Sequence, residues 1–94
     1  MLSWLRKTPP AIWLWCAPET IQAIDTYCRA RMTFRNEAAN ALILARIGQP
    51  IYKPLPLLTA RRYQFTLSKD ALETLDKVGP SHGEAFRALI RRYQ

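Results

Sequence analysis

Two parts of this 94-residue chain carry the same order of strand and helix signals, and this internal repeat restricts the fold more than any other feature. Ala11 to Cys16 and Arg62 to Leu67 are rich in aromatic and aliphatic residues, and a helix-start signal follows each, so both are expected to be strands. After the first, Pro18 suits the opening turn of a helix, and Ile21, Ile24 and Cys28 recur on one helical face. After the second, Ser68 is expected to cap a helix in which Leu72, Leu75 and Val78 repeat that stripe. Gly79 and Pro80 stop it. Ser81 with Glu84 then forms a capping box for a last helix carrying Ala85, Phe86, Leu89, Ile90 and Tyr93. In the first half Thr33 is the expected cap of a helix that runs to about Ile47 and turns Ala38, Ala41, Leu42 and Ala45 to the core.

The copies superimpose residue by residue. Leu14 to Asp25 lies over Phe65 to Asp76 at an offset of 51, and Glu37 to Ile43 lies over Glu84 to Ile90 at an offset of 47, with five of seven positions identical in the second pair. The offsets differ by four residues, about one helical turn, so the deletion keeps the apolar stripe in phase. Between the copies, residues 48 to 61 contain Pro50, Pro54 and Pro56 and are expected to be an extended linker. A unit of one strand and two helices has no partner for its strand and too little core of its own, so each copy must pair.

Composition limits what such a chain does. Apolar residues make up 49% and charged residues 22%, which excludes general disorder and fits one small domain, 1–94. At this length roughly 60 to 65% of the chain's surface is buried on folding, enough for a modest core and no deep substrate cavity. With one histidine and seven carboxylates, no acid, base and nucleophile set is evident, and neither an enzyme nor a cofactor is expected. Cys16 and Cys28 stand alone, without a CxxC pair, so they are expected to be buried thiols and not metal ligands. The apolar run Ala11 to Ala17 is far short of the roughly 18 residues of a membrane span. Arg6 and Lys7 follow the apolar residues of the N-terminal segment, the wrong order for a signal peptide, so a cytoplasmic location without a membrane partner is expected. The formal charge of +7 makes a polyanion the leading candidate partner.

Arg62-Tyr63-Gln64-Phe65-Thr66-Leu67-Ser68, followed by Ala71-Leu72-Glu73-Thr74-Leu75-Asp76 and the capped Ser81-His82-Gly83-Glu84-Ala85-Phe86-Arg87, resembles the ribbon-helix-helix DNA-binding family of Arc, MetJ and CopG type. Residues 62–94 carry most of the resemblance, and residues 11–47 match more loosely. The resemblance implies an α+β, mostly helical fold in which two repeats pair their strands into an antiparallel two-stranded ribbon and interlock four helices. With both repeats in one chain, the economical form is an intramolecular pseudo-dimer pairing strand 11–17 with strand 62–68. An intertwined homodimer is the alternative.

A two-stranded ribbon fits the major groove of double-stranded DNA. If Tyr63, Phe65 and Leu67 point inward, strand alternation turns Arg62, Gln64 and Thr66 outward. Arg donates twice to guanine, Gln bonds adenine in two places, and Thr bonds a base or touches a thymine methyl. In the first copy the same phase turns Ala11, Trp13 and Trp15 outward, which puts Trp13 and Trp15 among the base-facing positions. Two alternatives bury these tryptophans: a strand shifted by one residue, or a cover formed by the segment around Trp4 and Leu5. The resemblance further implies phosphate contacts at the second helix of each repeat, near Ser81, His82 and Gly83 and near Phe34, Arg35 and Asn36, with Arg61 flanking the ribbon. The expected roles are transcriptional repressor or plasmid-transfer accessory protein, with self-association on DNA. The competing expectation is an antitoxin-like or inhibitor-like module that grips a protein partner through Trp13 and Trp15.

Overall fold

The computed structural model describes residues 11–48 and 52–91. Their order is β1 (Ala11–Cys16), α1 (Pro18–Arg31), α2 (Arg35–Ala45), β2 (Arg61–Thr66), α3 (Lys69–Val78) and α4 (His82–Leu89). The fold is α+β and mostly helical, with one two-stranded antiparallel sheet and four helices among the described residues. None of these helices is long and apolar enough to cross a membrane. Trp4, Leu5, Pro50 and Tyr93, to which the sequence assigns roles, lie outside the described residues.

The strands pair as Ala11 with Thr66, Ile12 with Phe65, Trp13 with Gln64, Leu14 with Tyr63, Trp15 with Arg62 and Cys16 with Arg61. β1 spans the expected Ala11 to Cys16, with Ala17 as the N-cap of the next helix, whereas β2 ends at Thr66, one residue before the expected Leu67 and ahead of the Ser68 N-cap. Arg61, assigned to the linker by its sequence position, opens β2 instead. The inward side chains meet the helices in one core, where Phe65 and Phe86 pack with ring centroids 5.1 Å apart.

Local chemistry sets the helix ends. The Ser68 hydroxyl accepts from the Ala71 amide and the Ser81 hydroxyl from the Glu84 amide, satisfying first-turn donors that have no intrahelical acceptor. Thr33 is not the cap of α2; Phe34 is, without a side-chain bond. Met32 closes α1 in the left-handed region at φ 52°, and the Thr33 amide then bonds the Cys28 carbonyl at 3.1 Å, so Thr33 completes the end of α1. Its hydroxyl bonds the Glu37 carboxylate. The buried face of α2 also differs from expectation. Ala38, Ala39, Leu42 and Ile43 are buried whereas Ala45 is exposed, a rotation that brings the bulky Ile43 inward. The helix stops at Ala45, before Ile47. The buried set of α2 corresponds, 47 residues on, to Ala85, Phe86 and Leu89 of α4 and to Ile90, all buried, although α4 ends at Leu89 and Ile90, expected within it, is its C-cap.

Candidate nucleic-acid interface

Period-two alternation in the strands divides the ribbon into two faces. Leu14 and Cys16 are 4% and 1% exposed, while Trp13 and Trp15 keep 56% and 50% of their surface accessible. The one-residue shift that would bury the tryptophans is therefore excluded. On the same outward face, Arg62 and Gln64 are exposed and Thr66 is half-buried. The register makes Gln64 the cross-strand partner of Trp13 and Arg62 that of Trp15. Arg62 leans diagonally so that its guanidinium carbon lies 4.9 Å from the Trp13 ring centroid, a cation–π contact. The five expected base-facing residues thus share one surface.

The first turn of α2 meets the end of β2. Asn36 Oδ1 accepts from the Thr66 amide at 3.0 Å, and one turn later Asn40 Nδ2 donates to the Thr66 carbonyl at 3.0 Å while its Oδ1 accepts from the Ser68 amide at 2.6 Å. At the other end of the ribbon, Arg87 Nη1 donates to the Trp15 carbonyl at 2.9 Å. Arg87 is 6% exposed, and its Nε lacks a hydrogen-bond partner. Gly83 makes room for this guanidinium, since a Cβ there would lie 3.2 Å from Arg87 Nη1. That packing accounts for the glycine without a phosphate.

Sequence reasoning missed Asn40 and Arg87. A signal was present, because they occupy one of the two unlike positions in the seven-residue match and are polar neighbours of an apolar stripe. A buried polar side chain needs a partner, and unpaired strand-edge carbonyls need a donor.

Two of the side chains expected at phosphates, Arg35 and His82, already have partners in the protein. Arg35 holds Asp25 through two bonds of 2.8 and 3.0 Å, and that bonding raises its pKa further. His82 Nε2 lies 2.6 Å from Asp76 Oδ1. What remains for an anion is the outward edge of Arg35 and first-turn amides of α2 and α4, such as those of Asn36 and Gly83. Phe34 is strongly exposed at the start of α2. Arg61 is not grouped with them: it alternates to the opposite side of β2 from Arg62 and borders a shallow groove with Cys16, Pro18 and Tyr63. Cys16 itself is buried, and burial pushes its thiol up to about 12. No cluster of three or more metal-ligating side chains occurs among the described residues.

Comparison with models of protein families, with curated proteins and with solved structures gave no match to this chain.

Proposed function

We propose that the chain is a tandem pair of ribbon-helix-helix repeats, folded as an intramolecular pseudo-dimer, which binds double-stranded DNA with its ribbon in the major groove. The observation that carries this reading is the outward display of Arg62 and Gln64 on a ribbon whose opposite face is packed by helices. These two side chains supply two-point hydrogen bonding to guanine and adenine.

The pairing of the repeats supports the pseudo-dimer. Advancing each strand residue by 51 exchanges the pair Leu14–Tyr63 with Ile12–Phe65 and the pair Trp15–Arg62 with Ala11–Thr66, and returns Trp13–Gln64 to itself. This is the behaviour of a ribbon with an approximate two-fold axis through the Trp13–Gln64 rung. The side-chain contacts Asp25–Arg35 and Asp76–His82 correspond in the same way, by offsets of 51 and 47.

Magnitudes restrict the mode of binding. One two-point base contact contributes about 1 to 3 kcal/mol of discrimination, whereas specific over nonspecific binding takes about 4 to 10. Either two or more molecules side by side on repeated half-sites supply the difference, or binding is only weakly sequence-selective. Fluorescence anisotropy with a labelled duplex at two salt concentrations tests the reading. Affinity that falls steeply with salt is expected, and no duplex binding at low salt overturns it.

The half-exposed tryptophans favour a second reading, a protein-interaction module gripping its partner through Trp13 and Trp15. Under it, Trp13→Ala abolishes partner capture and duplex binding is weak or absent.

A further inference from the structure

The outward face of the ribbon is unlike on its two strands. At positions 51 apart, Ala11 corresponds to Arg62, Trp13 to Gln64 and Trp15 to Thr66. A symmetric ribbon would present the same residue twice about its axis, whereas here the axial rung itself carries an indole opposite a carboxamide. Each of the two exposed rungs, Trp13–Gln64 and Trp15–Arg62, therefore sets one broad apolar plate beside one hydrogen-bonding side chain.

From the major groove, a thymine·adenine pair has the same division. Adenine presents N7 and the N6 amino group, which a carboxamide bonds in two places, while thymine presents the apolar C5-methyl group beside one acceptor. An indole has a single N–H donor and no acceptor, so it discriminates bases poorly by hydrogen bonding. Its large apolar surface is matched in this groove by a pyrimidine's C5 edge, above all by the thymine methyl. Spacing agrees, because side chains two apart on a strand are separated by roughly 6.8 Å, about two base-pair steps. Arg62 over the Trp13 ring holds plate and donor together before DNA arrives, which reduces the ordering required on binding.

We infer that Trp13 and Trp15 read the C5 edges of pyrimidines, thymine methyls in particular, on the strand opposite the purines bonded by Arg62 and Gln64, so that each molecule recognises a non-palindromic site with guanine and adenine on one strand. This rests on the duplex-binding reading above and adds an orientation and a base class to it. The net charge of +7 suits a polyanion better than a neutral apolar partner.

Selection from a random-sequence duplex library with the full chain, followed by anisotropy on the enriched duplex, tests the inference. The enriched half-site is expected to be non-palindromic. Replacing its thymines by uracil, which removes only the methyl groups, is expected to weaken binding about tenfold. In a Trp13→Ala variant, which removes the plate beside the adenine-bonding Gln64, that replacement has little further effect, whereas a Trp15→Ala variant, whose plate lies opposite the guanine-bonding Arg62, keeps it. A palindromic half-site, or equal affinity for thymine and uracil duplexes, overturns the inference while leaving duplex binding intact. The uracil comparison uses the unaltered protein and does not depend on how any variant folds. Absence of binding to every duplex at low salt overturns the underlying reading instead and leaves the tryptophans to a protein partner.

Discussion

Asn40 on α2 and Arg87 on α4, 47 residues apart, each donate to a strand carbonyl of the opposite half of the chain: Asn40 to Thr66 and Arg87 to Trp15, acceptors that are themselves 51 residues apart. Each half thus ties down the end of the other's strand. Asn40→Ala orphans the Thr66 carbonyl and the Ser68 amide, and Arg87→Ala orphans the Trp15 carbonyl and empties a packed site. Each substitution is expected to cost about 1 to 3 kcal/mol in urea denaturation. A loss below roughly 0.5 kcal/mol, the range of an ordinary surface change, would remove these bonds from the account of what joins the halves.

Under the proposed pseudo-dimer these crossed bonds close within one chain, and no second copy is required. Light scattering or native mass spectrometry in the micromolar range is expected to give the mass of one chain, 10.9 kDa. Twice that mass, persisting on dilution, would favour the intertwined homodimer over the pseudo-dimer.

The two second helices begin differently, and stability measurements separate them. Ser81→Ala removes the hydroxyl that accepts from the Glu84 amide and is expected to cost about 1 kcal/mol. Thr33→Ala removes only a bond to an exposed Glu37 side chain and is expected to stay within roughly 0.5 kcal/mol. Equal losses would return Thr33 to the capping role that the structure gives to Phe34.

Much of this architecture was legible because period and punctuation agree. Alternation placed Arg62 and Gln64 on one side and Trp13 and Trp15 there in one of its two phases, the phase that their exposure selects, and Ser68 and Ser81 announced their helices through cap chemistry. Thr33 misled because α1 ends in a left-handed residue, Met32, which carries the chain one residue further before α2 starts. The inward face of α2 was misjudged because small alanines lie on both sides of it, and only packing against its neighbours decides that Ile43 goes in and Ala45 stays out. Long-range polar contacts were the least legible part. Nothing local tells Arg87 that its acceptor is Trp15, 72 residues away, or that Gly83 leaves space for the guanidinium.

Cys16 is expected to be unreactive in the folded protein, and Cys28, expected from the sequence to be buried, is only partly so. Burial raises Cys16 from an ordinary 9.0 to about 12, and Cys28 is raised as well, with desolvation the leading cause in both. A thiol whose folded pKa lies above its unfolded value adds stability that is fully present below about pH 9 and is lost as pH rises toward 12. Alkylation by iodoacetamide at neutral pH is expected to leave Cys16 unmodified until the chain unfolds, with Cys28, which is less buried, reacting first. Rapid modification of Cys16 in the folded protein would contradict its placement in the core.

Arg62 and Gln64 are both exposed, and Arg62 also rests on Trp13, so replacing them tests the outer face without opening the core. Arg62→Ala and Gln64→Ala are each expected to weaken binding to the selected duplex by about 1 to 3 kcal/mol and to relax preference at one base pair, while affinity for random duplex changes far less. Gln64 is uncharged, so Gln64→Ala should leave the salt dependence as it was, and its whole effect should appear as lost discrimination. If both variants instead weaken selected and random duplexes by the same factor, the ribbon contributes only charge, and sequence selectivity must come from elsewhere on the protein.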